Sequence, residues 1–142
     1  MNKKGFTLIE LLAIITILAF IALITTPIVL GIINDSHKST FKNSVEGIYR
    51  NIQQDYTQHG YTDEQTYTIT SSTITNTSDT DREDKIITFS GKLTDGSGTA
   101  TAYYDHANGA LRITMEVQNN SFCAKNASKN GLNEYVITKG EC

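Results

Sequence analysis

The chain has 142 residues and a formal net charge of −3 at pH 7. A chain of this length suits a single domain of modest size. Because the charge balance is acidic and no long basic run occurs, nucleic acid is not expected as the main partner.

The N-terminus joins a short polar leader to a long apolar run. Lys3 and Lys4 come just before Gly5, and residues 11–33 contain no charged side chain. At about 1.5 Å per residue, a helix of this length exceeds the ~30 Å hydrocarbon core of a bilayer, so the sequence predicts a transmembrane helix. The two lysines favour a cytoplasmic N-terminus and an exported C-terminal part. A secretory signal is disfavoured, because its apolar core usually covers only about 7–15 residues.

One carboxylate, Glu10, lies near the start of the apolar run. A charged side chain in hydrocarbon is costly, and such residues are rare unless they have a function and a partner. A plain single-pass anchor explains neither this glutamate nor the glycine directly before Phe6. We therefore expect Glu10 to have a role of its own.

The segment Gly5-Phe6-Thr7-Leu8-Ile9-Glu10, behind its lysine-containing leader, resembles the prepilin leader of the type IV pilin and pseudopilin family. The resemblance covers roughly residues 3–27. In that family a membrane peptidase cuts after the glycine, the new first residue is usually N-methylated, and the fifth residue of the mature chain is a glutamate. The resemblance therefore implies cleavage after Gly5, N-methylation of Phe6 and an assembly role for Glu10.

The same resemblance implies the partners and the location of the chain. They are a prepilin peptidase that also methylates, a membrane-embedded pilus or secretion assembly machinery, and further pilin-like subunits in a homo- or hetero-polymer. The chain would be a single-pass membrane protein before assembly and part of an extracellular or cell-surface filament, a pilus or fimbrium, afterwards. Pilus subunits, secretion pseudopilins and competence pseudopilins remain open alternatives within the family.

Pro27 is the single proline of the chain and falls inside the apolar run. It cannot donate a hydrogen bond to the carbonyl of Leu23, and Gly31 weakens the next turn. We expect a kink or soft spot in the helix over residues 23–31.

Beyond Ile33 the helix is predicted to continue in amphipathic form and to end near His59 and Gly60, where glycine suits a C-cap. Apolar residues recur there at helical spacing, which predicts one buried face. Those residues are Phe41, Val45, Ile48, Tyr49, Ile52 and Tyr56. The polar residues, Asp55 among them, are expected largely outside this face.

The remainder of the chain is predicted to form short strands. Alternating and β-branched residues indicate strands at 67–70, 73–75, 85–93, 99–105 and 111–117. Residues 95–98 are expected to form the turn of a hairpin between the third and fourth strands. Asn108-Gly109 is expected to form a type I′ turn between the fourth and fifth strands. From Phe122 the chain is expected to be mostly irregular, with a possible last strand at 135–137.

Together these patterns predict an α+β fold in which a long N-terminal helix packs on a small antiparallel sheet, because each covers the other's apolar surface. We expect a leader at 1–5, a transmembrane and polymerisation helix at 6–33, its amphipathic continuation at 34–59 and a β-rich head at 60–142. Cys123 and Cys142 are the only two cysteines. In an exported chain they are expected to form a disulfide that closes a C-terminal loop.

No catalytic, cofactor or metal site is expected. The three histidines are widely spaced, and no serine occupies a nucleophile elbow. Four acidic residues crowd one loop, but this loop lacks the glycine and the final glutamate of an EF-hand, so a solvated loop is favoured over a calcium site. These residues are Asp79, Asp81, Glu83 and Asp84.

The predicted function is that of a structural filament subunit without enzymatic activity. The alternative is a membrane-anchored extracellular binding or adhesion module that does not polymerise. Removal of the leader distinguishes the two, because only a pilin-like subunit should lose it.

Overall fold

The computed structural model describes residues 5–89, 93–126 and 135–142. It divides after His37 into two compact units. We call them the N-terminal unit, of which residues 5–37 are described, and the head, which starts at Lys38.

One long helix, α1 (Leu8–Gln58), supplies all the regular structure of the N-terminal unit. Its start is marked by Thr7, whose carbonyl accepts the amide of Leu11 at 3.2 Å. Every residue from 5 to 37 is exposed. Within the described chain, α1 is the one helix that is long and apolar enough to cross a membrane. The predicted long N-terminal helix is confirmed.

The part of α1 that belongs to the head buries the predicted apolar stripe. Five of the six stripe residues are at most 3% exposed, namely Phe41, Val45, Ile48, Ile52 and Tyr56. Tyr49 lies at the edge of the core and is only partly buried. Burial of a large apolar side chain contributes roughly 1.5–3 kcal/mol, so this stripe is a main source of head stability.

A single antiparallel sheet of seven strands packs on this stripe. The strands are β1 (Gln65–Ile69), β2 (Thr73–Asn76), β3 (Ile86–Thr88), β4 (Ser97–Asp105), β5 (Ala110–Gln118), β6 (Phe122–Asn126) and β7 (Tyr135–Lys139). Their order across the sheet is β3-β2-β1-β4-β5-β6-β7. The predicted α+β class, with a helix on an antiparallel sheet, is confirmed.

The sheet turns one face to α1, because alternate side chains of a strand point to opposite faces. Ala100 and Ala102 leave room beside Tyr67, which is fully buried. The sheet residues that join the helix stripe in the core are Tyr67, Ile69, Ile74, Ala100, Ala102, Ile113, Met115, Val117 and Ala124.

The predicted hairpin between the third and fourth strands is wrong. β3 pairs with β2 and β4 pairs with β1, so the connection between them returns from the sheet edge to its centre. β3 is also shorter than predicted, because Phe89 and Leu93 enter the core instead of a strand, while residues 90–92 lie outside the described chain. The turn at Leu93 and Gly96, closed by a backbone bond of 3.1 Å, serves this crossing.

The hairpin between β4 and β5 exists, but its turn is not type I′. The turn covers four residues, 106–109. A type I′ turn needs positive φ at both central residues, whereas Gly109 has φ 64° and Asn108 does not have positive φ. The Asp105 carboxylate accepts the amides of Ala107 and Asn108 at 3.0 and 3.3 Å, and this capping favours the longer loop.

The C-terminal part is more regular than predicted. β6 joins β5 to β7, and Phe122 at its start stacks on Phe41 of α1 with ring centroids 5.7 Å apart. The predicted last strand is confirmed and extends to Lys139. The sequence pattern missed β6 because its five residues carry little alternation. Residues 127–134 lie outside the described chain.

Candidate functional site

The start of α1 forms a compact polar group at the head of an apolar segment. The Thr7 amide and hydroxyl both donate to Glu10 Oε2 at 2.8 Å, and the Glu10 amide lies 3.4 Å from the Thr7 hydroxyl oxygen. A threonine followed three residues later by a glutamate is the sequence of a helix capping box. Thr7 is therefore the N-cap of α1, and Glu10 occupies its first turn.

Gly5 and Phe6 precede the helix and have no regular structure. Phe6 is 81% exposed. A Cβ atom added at Gly5 would meet nothing within 4 Å. The peptide bond between the two residues is therefore outside the helical hydrogen-bond ladder.

From Leu8 to Ile33, α1 presents large apolar side chains in every direction. A helix that is apolar all round suits lipid or the interior of a helix assembly rather than water. The exposed residues are Leu8, Ile9, Leu11, Leu12, Ile14, Ile15, Ile17, Leu18, Phe20, Ile21, Leu23, Ile24, Ile28, Val29, Leu30, Ile32 and Ile33. This segment fits a single-pass membrane anchor.

Residues 1–26 match the family model of the prokaryotic N-terminal methylation motif, the cleavage signal of type IV pilins and pseudopilins. This chain carries a prepilin signal. No curated protein and no solved structure matches the chain. The predicted family resemblance is thus confirmed through the signal, which covers the N-terminal part of the chain.

Just beyond the prepilin signal, α1 remains helical through Pro27 and Gly31. Thr25 donates to the Ile21 carbonyl at 3.0 Å and Thr26 to the Ala22 carbonyl at 2.6 Å. These hydroxyls bond carbonyls that precede Leu23, so they do not replace the hydrogen bond that Pro27 cannot donate to the Leu23 carbonyl. The soft spot at residues 23–31 stays a prediction, because it concerns the helix in a filament.

The head contains a buried polar cluster that the sequence analysis missed. Asp55 was expected outside the helix stripe, but it is only 5% exposed. It accepts a hydrogen bond from the Tyr67 hydroxyl at 3.0 Å and one from Arg82 Nη2 at 2.9 Å. The helical spacing could have shown this burial, because Ile52 follows Ile48 by four residues and Asp55 follows Ile52 by three, which places all three on one helix face.

Arg82 ties the acidic loop to this cluster. It donates to the Tyr61 hydroxyl at 2.8 Å, and Tyr61 donates to Asp79 Oδ2 at 2.6 Å. Arg82 Nε lies 2.8 Å from Asp84 Oδ1, as an ion pair without hydrogen-bond geometry. The loop is therefore held to the end of α1 by charge and hydrogen bonding, while Asp81, Glu83 and Asp84 remain exposed to solvent.

The contacts within the cluster shift the pKa values of Tyr61, Asp79 and Arg82. Burial and the hydrogen bond to Asp79 raise the pKa of Tyr61 to about 12. The same hydrogen bond holds the pKa of Asp79 below its usual value. Burial lowers the pKa of Arg82, but the bond to Asp55 and the nearby charges outweigh burial and raise it. At neutral pH Tyr61 is therefore uncharged, whereas Asp79 and Arg82 are charged.

No group of three or more metal-binding side chains is present in the described residues. Two of the four acidic residues of the loop, Asp79 and Asp84, contact Tyr61 and Arg82 as described above. The cluster therefore attaches the acidic loop to α1 through Asp55 and Arg82.

The C-terminus is fastened to the sheet face that points away from α1. Cys123 and Cys142 form a disulfide, as the sequence predicts. The Cys142 amide also donates to Gln118 Oε1 at 2.8 Å, and Lys125 Nζ donates to the Cys142 carbonyl at 3.4 Å. The disulfide and these bonds attach the last residues to β5 and β6.

Proposed function

We propose that this chain is a structural subunit of a type IV pilus-like filament and has no enzymatic role. The observation that carries the proposal is the prepilin signal at residues 1–26, which leads into a helix that is apolar on all sides. The signal supports processing after Gly5 and methylation of the new N-terminal residue, Phe6. The helix provides the surface for polymerisation.

The apolar helix can exchange one apolar environment for another. In the membrane, lipid surrounds it, and in a filament, helices of other copies replace the lipid. Van der Waals packing between the helices and the entropy of the released lipid then drive association, as for other membrane helices. The four parts of this subunit would be a leader at 1–5, a polymerisation helix at 6–33, an amphipathic continuation at 34–59 and a β-rich part at 60–142.

The partners follow from this life cycle. A prepilin peptidase and methylase would act at the Gly5–Phe6 bond, and a membrane-embedded assembly machinery would extract the trimmed subunit. The subunit would start as a single-pass membrane protein with a cytoplasmic N-terminus. It would end in an extracellular or cell-surface filament with identical or related subunits.

Glu10 would guide assembly through the amine that cleavage creates. The Phe6 amine is four residues before Glu10 in its own chain and lies outside α1. Thr7 of the same chain already occupies Glu10 Oε2, so the amine of a neighbouring copy is the better partner for this carboxylate. This pairing would set the axial register between subunits. Glu10→Ala should still insert and lose its leader but enter filaments poorly, whereas Glu10→Asp should be only partly impaired.

Wild-type yield of Glu10→Ala filaments, with the Phe6 amine far from residue 10 of the neighbour, would contradict this pairing. The yield is measured by quantifying sheared filaments against total subunit.

Intact-mass measurement of the purified protein tests the proposal as a whole. A pilin-like subunit should have lost residues 1–5 and gained a methyl group. A chain that keeps the leader would instead support an anchored binding or adhesion module.

The variant Gly5→Leu sharpens this test. Because a side chain at Gly5 meets nothing within 4 Å, the substitution should leave the protein itself undisturbed. Failure to trim it would then report the fit of the peptidase, with Gly5→Ala as the smaller control. Normal trimming of Gly5→Leu would remove the main support for cleavage at this glycine.

A further inference from the structure

The side of α1 that faces away from the core of the head is divided lengthwise into a charged flank and an uncharged strip. Lys42, Glu46 and Arg50 follow one another at steps of four on the flank, and Lys42 Nζ lies 4.0 Å from Glu46 Oε1. Beside the flank, six uncharged residues recur at steps of three and four, which places them on one face of the helix. The uncharged strip consists of Thr40, Asn43, Gly47, Asn51, Gln54 and Gln58, and each of them is exposed or half-buried.

Gly47 lies in the middle of the uncharged strip, and no neighbour among the described residues requires a glycine there. Glycine is among the least favourable residues in a helix interior, because it loses more backbone freedom on folding than any other residue. At Gly98 an added Cβ would overlap the Glu116 carbonyl, whereas at Gly47 it would meet nothing within 4 Å. Even Asn51, whose amide donates to the Gly47 carbonyl at 2.7 Å, does not fill this space. The missing side chain therefore leaves room on the outer surface of α1 for a residue of another chain.

The chemistry of the uncharged strip matches further copies of the same strip. Each Asn and Gln side chain carries both hydrogen-bond donors and an acceptor, so identical strips satisfy one another. Because no member of the strip is charged, two strips exclude water without burying an unpaired charge. In parallel helix assemblies the same face of every helix points to a common axis, and asparagine in such a seam fixes the register of the helices.

We propose that the uncharged strip packs against the uncharged strips of further copies around a common axis in the filament, with Gly47 at the point of closest approach. The proposal rests on the proposed function and extends the contact between copies from residues 6–33 into the head. Copies that are joined through residues 6–33 hold their heads at a high effective concentration. The strip contact therefore adds to an association that already exists.

Two adjacent glutamines give a matched pair for testing this contact. Gln53 lies on the charged flank and Gln54 on the uncharged strip, both are exposed, and they are about 100° apart around the helix. Gln53→Cys and Gln54→Cys are each labelled with a maleimide without reductant, in the membrane fraction and in sheared filaments, and intact mass gives the labelled fraction. Gln54→Cys should react in the membrane fraction and lose its labelling in filaments, whereas Gln53→Cys should react in both.

A bulky side chain at Gly47 tests the point of closest approach. Gly47→Leu should leave the Tm of the head unchanged or raise it, because leucine meets no close neighbour and favours the helix. Gly47→Leu is co-expressed with the wild-type chain, and mass spectrometry measures its share in filaments relative to its share in the membrane. Overpacking between copies should lower this share on the order of tenfold. Gln53→Leu, which puts the same side chain on the charged flank, should keep the wild-type share.

Three results would each overturn the proposal: equal labelling of Gln53→Cys and Gln54→Cys in filaments, protection of Gln54→Cys already in the membrane fraction, or incorporation of Gly47→Leu at the wild-type share. A wild-type chain that keeps its leader or forms no filaments would overturn the proposed function and this proposal with it. Trimmed wild-type filaments in which Gln54→Cys stays reactive would overturn the strip contact alone. The two failures are therefore distinguishable.

Discussion

Replacing Arg82 with methionine should destabilise the head strongly. The substitution removes the cation that lies 2.9 Å from Asp55, whose side chain is 5% exposed. Breaking a buried ion pair by removing one partner typically costs about 3–5 kcal/mol, because the other charge stays buried. The Tyr67 hydroxyl still donates to Asp55, which places the expected loss toward the lower end, at about 3 kcal/mol. In a unit of this size that corresponds to a decrease in Tm on the order of 10–20 °C.

The chain itself supplies a selective probe for this measurement. All seven tyrosines lie in the head and tryptophan is absent, so tyrosine emission and the tyrosine bands of near-ultraviolet circular dichroism report the head without a signal from the N-terminal unit. Thermal unfolding of the full chain in detergent is therefore followed through tyrosine.

Lys125→Met is the matched control. Lys125 is 3.2 Å from Glu116, but both side chains are about half exposed, at 53% and 52%. Exposed ion pairs typically contribute about 0–1 kcal/mol, so its Tm should change little. The double variant with Asp55→Leu and Arg82→Met should recover a large part of the lost stability, because it leaves no buried charge unpaired. Equal decreases for Arg82→Met and Lys125→Met, or no recovery in the double variant, would refute the reasoning.

Four further outcomes are expected. Reduction of the C-terminal disulfide should lower the Tm of the head, since a crosslink between cysteines 19 positions apart stabilises by on the order of 3 kcal/mol through chain entropy. Alkylatable cysteines in native filaments would contradict the presence of this disulfide. Gly98→Ala should destabilise because its Cβ would overlap the Glu116 carbonyl, whereas Gly47→Ala, with nothing within 4 Å, should not. In a filament, helix should be lost within residues 23–31, and an unbroken helix in a filament map would exclude this. The hydrogen bond from Asn108 lowers the pKa of Asp105 in the folded head. The ionised Asp105 therefore stabilises the head above the pKa of an unfolded aspartate, near 4, and this stabilisation is lost as pH falls through the lower folded pKa. Asp105→Asn should remove this part of the pH dependence of Tm.

The features that the sequence by itself determined are those whose signal is local. The length and apolarity of residues 11–33 indicated a segment that could cross a membrane, and a 3.6-residue period located the stripe from Phe41 to Tyr56 that the structure buries. The glycine, phenylalanine and glutamate spacing at the N-terminus pointed to the prepilin signal that the family model matches. Each of these signals lies within one helix or one short motif, so no knowledge of distant contacts was needed.

Tertiary structure alone decided which elements meet. Alternation with period two shows which face of a strand is buried but not which strand lies beside it, and so β4 was assigned to β3 although it pairs with β1. The pairing of Asp55 with Arg82 joins residues 27 positions apart, and nothing in either local pattern identifies the other. Partner choice depends on how the whole chain closes around one core, because a buried charge and a central strand are stable only when every neighbour is in place.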